Sequence, residues 1–265
     1  RPGRSATTWG SSGTRMNPND DARSRLIFAL DMGDGIDETL QWVERLRGHV
    51  GVYKIGKEAF THFGPEIVRR IHGLGGRVFL DLKFHDIPNT VAKAAEGAVR
   101  LGVAMFNLHA LGGREMMEKT VQAAQKAARE TGAPMPLVLA VTVLTSLNDR
   151  DLSELGFRQT TQALAAHLAA EARRAGMGGV VASPRDILSI REACGPDFAI
   201  VTPGIRLAGD EVEQDDQKRI DTPREAIRNG ADYIVVGRPI RLAKDPVEAS
   251  DRIVEEIALG LADRQ

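Results

Sequence analysis

The chain has 265 residues, 42% of them hydrophobic, which is enough for one sizeable buried core, and we read a single domain rather than two. Its 35 basic and 36 acidic residues leave a formal net charge of −1 without a basic stripe, which argues against a binder of nucleic-acid backbone but leaves a small anionic ligand open. The single cysteine, Cys194, rules out an internal disulfide and fits a reducing cytoplasm, and no uninterrupted apolar stretch approaches bilayer-spanning length.

Residues 1–15 are polar, glycine-rich and aperiodic, without the apolar centre of a secretory signal. They read as a remnant of expression, or else as a natural disordered arm, with Met16 as the native start and the folded domain over 16–265. From Arg25 onward, short apolar runs alternate with stretches of helical periodicity. Strands are predicted at 26–31, 50–55, 78–82, 104–108, 137–143, 179–182, 199–201 and 233–236. Helices are predicted between and after them at 36–46, 65–72, 90–101, 113–130, 160–175, 184–193, 222–229 and 246–261. Pro184 and Pro223 mark helix starts, while Gly48, Gly73, Gly102, Gly132, Gly176 and Gly230 mark ends.

Eight such units in a chain of this length predict a closed (β/α)8 barrel, the TIM-barrel form of the α/β class, with functional groups at the C-terminal strand ends. Those ends supply Asp31, Lys54, Asp81 with Lys83, Asn107 with His109, Thr145 with Ser146, Ser183, Thr202 with Arg206, and Gly237 with Arg238. An open doubly wound sheet is the rival fold, but it would gather its ligand groups at one switch point. Polar residues at nearly every strand end favour the barrel.

The segment Asp81-Leu82-Lys83-Phe84-His85-Asp86-Ile87-Pro88-Asn89-Thr90 carries the densest chemistry. Side chains alternate along a strand, so Asp81 and Lys83 share one face, and Asp86 follows after the expected strand end. Two carboxylates and an ammonium meeting there would hold the lysine protonated and aimed. A lone D-x-K-x-x-D is more often a structural ion pair in a loop. Arg238 follows Gly237 directly after the last strand, where barrel enzymes often hold phosphate. The polar stretch between Arg206 and Asp221 is too long for a simple turn and reads as a lid. His62, His85 and His109 lack the paired spacing of a zinc site, so no metal is expected.

Together with Leu144-Thr145-Ser146, the 201–206 run Val-Thr-Pro-Gly-Ile-Arg and the 235–240 run Val-Val-Gly-Arg-Pro-Ile, this segment resembles the orotidine 5'-phosphate decarboxylase family in its bacterial, monofunctional form. The resemblance spans Leu26 to about Val247. It implies decarboxylation of orotidine 5'-phosphate to uridine 5'-phosphate, the last step of de novo pyrimidine nucleotide synthesis, without a cofactor. It also implies an alternating array Lys54-Asp81-Lys83-Asp86, with Lys83 stabilising and protonating the C6 carbanion. Asp31 matches the ribose contact, Thr145 and Ser146 the pyrimidine contacts, and Arg206 and Arg238 with Gly237 the phosphate contacts. Gln217 would bridge phosphate and base from the lid, and the remaining residues of 81–90 (Leu82, Phe84, His85, Ile87, Pro88, Asn89 and Thr90) would border the substrate. In the family two barrels pair, so a homodimer is expected in which Asp86, Ile87 and Thr90 reach the neighbouring site. The alternatives are a magnesium-dependent sugar-phosphate decarboxylase or aldolase of the same superfamily, which shares D-x-K-x-x-D, and a catalytically silent nucleotide-binding barrel.

Overall fold

In the computed structural model, which describes residues 18–32, 35–207 and 221–264, eight parallel strands close into a barrel in sequence order. They are β1 Leu26–Ala29, β2 Val52–Gly56, β3 Val78–Phe84, β4 Met105–His109, β5 Leu137–Val141, β6 Gly179–Val181, β7 Ala199–Pro203 and β8 Tyr233–Val236. Every predicted strand and every predicted helix has its counterpart. The differences lie at the ends. Val50 is apolar because it is buried in the outer core, yet it precedes the ladder. Gly51 bends the chain between the two, its N–H already donating to Leu26 O, and any Cβ there would fall 2.6 Å from the Ser24 backbone. The helix expected at 184–193 opens as a 3-10 turn, Pro184–Asp186, before Ile187–Cys194.

Four short helices escaped the periodic pattern: Pro18–Ser24, Lys57–Phe63, Asp149–Glu154 and Arg238–Arg241. None is long enough to show a stripe at helical spacing. Asp149–Glu154 is set by its cap instead, since the Asn148 side chain accepts from the Asp151 N–H while the Asp151 carboxylate accepts from the Asn148 N–H. Among the described residues, no helix is long and apolar enough to cross a membrane.

The period-two alternation of the strands builds two apolar layers. Outward-facing residues such as Phe28, Leu80, Phe106 and Ile200 pack under the helices, while Ile27, Val52, Phe79, Met105, Leu139, Val201 and Val235 fill the barrel interior. The same alternation decides what stands above that interior plug. Two residues on from Val52 comes Lys54, from Phe79 comes Asp81, and from Met105 comes Asn107. The barrel is therefore apolar at its base and charged at its C-terminal mouth.

One polar group is stranded in the outer layer. Thr202 lies between the inward positions Val201 and Pro203, is fully buried, and its hydroxyl has no hydrogen-bond partner among the described residues. An unpaired buried hydroxyl costs on the order of 1–3 kcal/mol. Thr202→Val keeps the β-branched shape that suits a strand, so it is expected to raise the melting temperature by about 2–4 °C for a domain of this size. Thermal denaturation of the two proteins checks this, and a lower melting temperature would contradict it.

Candidate active site

Four charged side chains form a chain of alternating sign at the mouth of the barrel. Lys54 Nζ lies 2.7 Å from Asp31 Oδ1 and 3.5 Å from Asp81 Oδ2, and Lys83 Nζ lies 2.7 Å from Asp81 Oδ1. Lys54 and Asp81 are buried, Lys83 is half-buried, and Asp31 stands exposed at the rim. Burial alone would push the Lys54 ammonium toward losing its proton, but Asp31 and Asp81 outweigh it and raise its pKa above the ordinary lysine value. For Asp81, burial acts upward, yet Lys54, Lys83 and hydrogen bonds from Lys83 and Asn107 bring the net value below the usual carboxylate range.

The signs fix the pH behaviour. Asp81, with its depressed pKa, contributes stability above the ordinary carboxylate range and loses it as pH falls through its lowered value. Lys54, with its raised pKa, contributes below the ordinary lysine range and loses it as pH rises through its raised value. The charge pattern of this pair is thus unchanged across the neutral range.

The backbone carries a special feature at the same place. Lys83 adopts φ 51°, the one positive φ at a non-glycine residue among those described. The pairing of β3 with β4 shifts there: Leu80 pairs with Phe106, but Phe84 pairs with Leu108. A left-handed conformation at a residue with a Cβ costs roughly 1–2 kcal/mol. Asn107 meets both consequences of the bulge, because its Oδ1 accepts the Lys83 N–H at 2.8 Å and its Nδ2 donates to Asp81 Oδ1 at 2.6 Å. The sequence reading placed Asn107 at a strand end but assigned it no role.

A cavity of about 480 Å³ opens above this array, a size suited to a small-molecule ligand. Asp31, Lys54, Asp81 and Lys83 line it, together with Thr145, Arg206, Gly237 and Arg238. Arg241 also lines it and had not been anticipated, since the four-residue helix that carries it gives no sequence signal. Because β7 and β8 are neighbours, Arg206, Arg238 and Arg241 enter from adjacent strand ends and bring three guanidinium groups to that side of the cavity.

The sequence model of the orotidine 5'-phosphate decarboxylase / HUMPS family matches residues 24–253. The chain belongs to this family. It is 61% identical to the orotidine 5'-phosphate decarboxylase of Syntrophus aciditrophicus (strain SB) over 95% of this chain and all of that one. It is 53% identical to the enzyme of the same name from Geobacter sulfurreducens, over 91% of this chain and 99% of the relative. Among solved structures, the crystal structure of orotidine 5'-phosphate decarboxylase from Lactobacillus acidophilus is similar with a TM-score of 0.77 and 36% identity, covering 88% of this chain and 98% of that one. The resemblance drawn from the sequence motifs and these comparisons agree on the family.

Not every residue expected around the substrate lies at the cavity. Leu82 and Phe84 alternate with Asp81 and Lys83 and pack against the outer core rather than lining the cavity. Ser146 is exposed beyond the lining residue Thr145. Asp86 is exposed and its carboxylate accepts the Ile87 N–H at 2.6 Å, so within one chain the array runs Asp31-Lys54-Asp81-Lys83 rather than ending on Asp86. His85, Ile87, Asn89 and Thr90 are exposed and Pro88 half-buried at the start of helix Pro88–Arg100, with Ile87 68% accessible. The His85 ring lies 5.3 Å from that of His109. Burial, followed by His85, Lys57 and Lys83, brings the His109 pKa down to about 4, so His109 is neutral beside the array at physiological pH. Ser183 accepts from Arg185 N–H at the 3-10 turn. Gln217 and most of the expected lid lie outside the described residues. The two ends of that segment meet in a short bridge, where Arg206 N–H donates to Asp221 O at 3.1 Å. Among the described residues, no group of three His, Cys, Asp or Glu is arranged to hold a metal ion.

Gly56 offers a clean probe of the array. A Cβ there would meet Asp31 Oδ1 at 2.7 Å and Lys54 Nζ at 3.2 Å, whereas its φ of −86° suits any residue. Asp31 is a rim side chain that can swing away, so Gly56→Ala is expected to fold normally but to separate Asp31 from Lys54. A melting temperature within a few degrees of the parent, together with roughly tenfold or greater loss of turnover, is the expected result. Full turnover in the variant would show the Asp31–Lys54 contact to be dispensable.

Proposed function

We propose that this chain is a cytoplasmic enzyme that converts orotidine 5'-phosphate to uridine 5'-phosphate and CO2. The observation that carries the reading is the alternating array, buried at Lys54 and Asp81, with the Lys83 ammonium held on Asp81 at the edge of a nucleotide-sized cavity whose other side is lined by arginines. In the reaction, the bond between C6 and the carboxyl carbon breaks. Its electron pair stays in an sp2 orbital at C6, outside the ring π-system, so resonance does not spread it. Lys83 supplies a fixed positive charge beside that orbital and then the proton that forms the C6–H bond. The free amine regains its proton from solvent.

One pair of unit charges about 4 Å apart is worth roughly 4 kcal/mol at an effective dielectric of 20, whereas enzymes lower barriers by roughly 8–23 kcal/mol. Lys83 therefore acts with other contributions. Repulsion between Asp81 and the substrate carboxylate is one, ranked below carbanion stabilisation. Grip on the phosphate by Arg206, Arg238 and the backbone at Gly237 is another, since remote binding energy can be used to orient and dry the reacting end. Asp31 serves the ribose, and Thr145, which lines the cavity, reads the amide edge of the base, with Ser146 just beyond that lining.

A homodimer completes the site in this reading. Among the described residues Asp86 makes no ion pair with Lys83 of its own chain, and its carboxylate instead accepts the N–H of the exposed Ile87, which suits a role across an interface in which Asp86, Ile87 and Thr90 border the partner's cavity.

An absorbance assay with orotidine 5'-phosphate in the presence of a chelator tests the reading, with undiminished turnover expected. Binding of uridine 5'-phosphate without turnover would instead favour a silent barrel, and dependence on added magnesium would favour a sugar-phosphate enzyme. Lys83→Ala is expected to lose roughly 10³-fold or more in kcat while remaining folded. Arg238→Ala should act mainly by raising KM. Mixing inactive Lys83→Ala and Asp86→Ala chains should restore up to about a quarter of wild-type activity, because half of randomly formed dimers carry one intact site of two. No recovery after verified subunit exchange would contradict a shared site.

A further inference from the structure

We propose that Asn107 is a positioning residue that sets the direction of the Lys83 ammonium by clamping the β3 bulge to β4. The inference deepens the decarboxylase reading and rests on it for its kinetic test. Three residues of β3, Asp81, Leu82 and Lys83, stand against the single residue Asn107 of β4 between the pairs Leu80–Phe106 and Phe84–Leu108. A regular ladder would give the Lys83 N–H a backbone carbonyl, but here the side-chain amide oxygen of Asn107 takes it at 2.8 Å. The amide nitrogen donates to Asp81 Oδ1 at 2.6 Å, the same oxygen that receives Lys83 Nζ at 2.7 Å. One planar group thus holds Lys83 at its backbone and, through Asp81, at its charged tip.

Asparagine is the side chain whose reach and chemistry match both demands. An acceptor is needed toward the N–H and a donor toward a carboxylate, in one short rigid group. Flipping the amide would set oxygen against carboxylate and NH2 against N–H, so the neighbours fix its orientation. Asn107 is fully buried, and it sits at the inward β4 position two residues above Met105 of the barrel plug. With that footing, the amide anchors a φ of 51° that would otherwise relax toward the ordinary strand conformation.

The test compares Asn107→Ala and Asn107→Asp with the parent. For Asn107→Ala, kcat is expected to fall about 10²-fold, because a misplacement on the order of 1 Å at the reacting group has that effect, with KM changed less than about threefold. Asn107→Asp keeps the acceptor and can donate to Asp81 only when protonated. Its kcat should therefore recover partly at low pH and decline as pH rises, a profile that a merely structural role would not produce. In a crystal structure of Asn107→Ala, Lys83 is expected to leave the left-handed region and Nζ to leave Asp81. Retention of φ near 51° with Nζ still on Asp81, or kcat within about twofold of the parent in both folded variants, would overturn the proposal. The crystallographic result stands whether or not the parent acts on orotidine 5'-phosphate, so failure of that reading is distinguishable from failure of this one.

Discussion

The Asp81 carboxylate is the contact on which the rest of the site depends. Buried at the top of the barrel plug, it would be prohibitively destabilised if left alone, and it is ionised only because Lys54, Lys83 and Asn107 satisfy it together. Each partner is constrained in turn. Lys54 keeps its charge in a buried place because Asp31 flanks it on the other side, and Asp31 reaches it because Gly56 leaves the space open. Lys83 meets Asp81 from a left-handed backbone that the Asn107 amide secures. Removal of Lys54, Lys83 or Asn107 takes a counterpart from the buried Asp81 carboxylate.

The barrel supplies the geometry for this arrangement. Alternation along β2 to β4 stacks Lys54, Asp81 and Asn107 above apolar inward residues, so these groups sit on strands over a rigid floor, and Asp31 joins them from just past the end of β1. On the other side, β7 and β8 bring in Arg206, Arg238 and Arg241. A ligand that spans the cavity would place an anionic end among guanidinium groups and its reacting end against the lysine array. That division of labour is what the proposed decarboxylation asks for, with grip at one end and charge stabilisation at the other.

Much of this was legible in the amino-acid sequence, and for identifiable reasons. Strand-length apolar runs broken by glycine and polar residues gave the eight units, because parallel strands buried on both faces must be apolar throughout. The Asp81–Lys83 contact followed from period-two alternation. What escaped the sequence was set by tertiary detail. The bulge at Lys83 has no local signature, since lysine does not favour a positive φ and the conformation is imposed by β4. Asn107 looked like one polar residue among several strand ends, and its importance depends on a residue 24 positions away. Thr202, which resembled a mouth residue, faces the outer layer because Pro203 takes the inward position. Arg241 rides on a helix of a single turn, and Asp86 turns to its own backbone because the chain bends at once into helix Pro88–Arg100.

The central claim is that Lys83 stabilises and protonates a carbanion at C6, and microscopic reversibility allows a direct test on the product. Uridine 5'-phosphate incubated with the protein in D2O should exchange its C6 hydrogen for deuterium, as followed by proton NMR, and Lys83→Ala should abolish that exchange while still binding the nucleotide. Exchange that persists at the parental rate in Lys83→Ala, or a protein that decarboxylates orotidine 5'-phosphate yet leaves C6–H untouched with the nucleotide bound, would contradict the account.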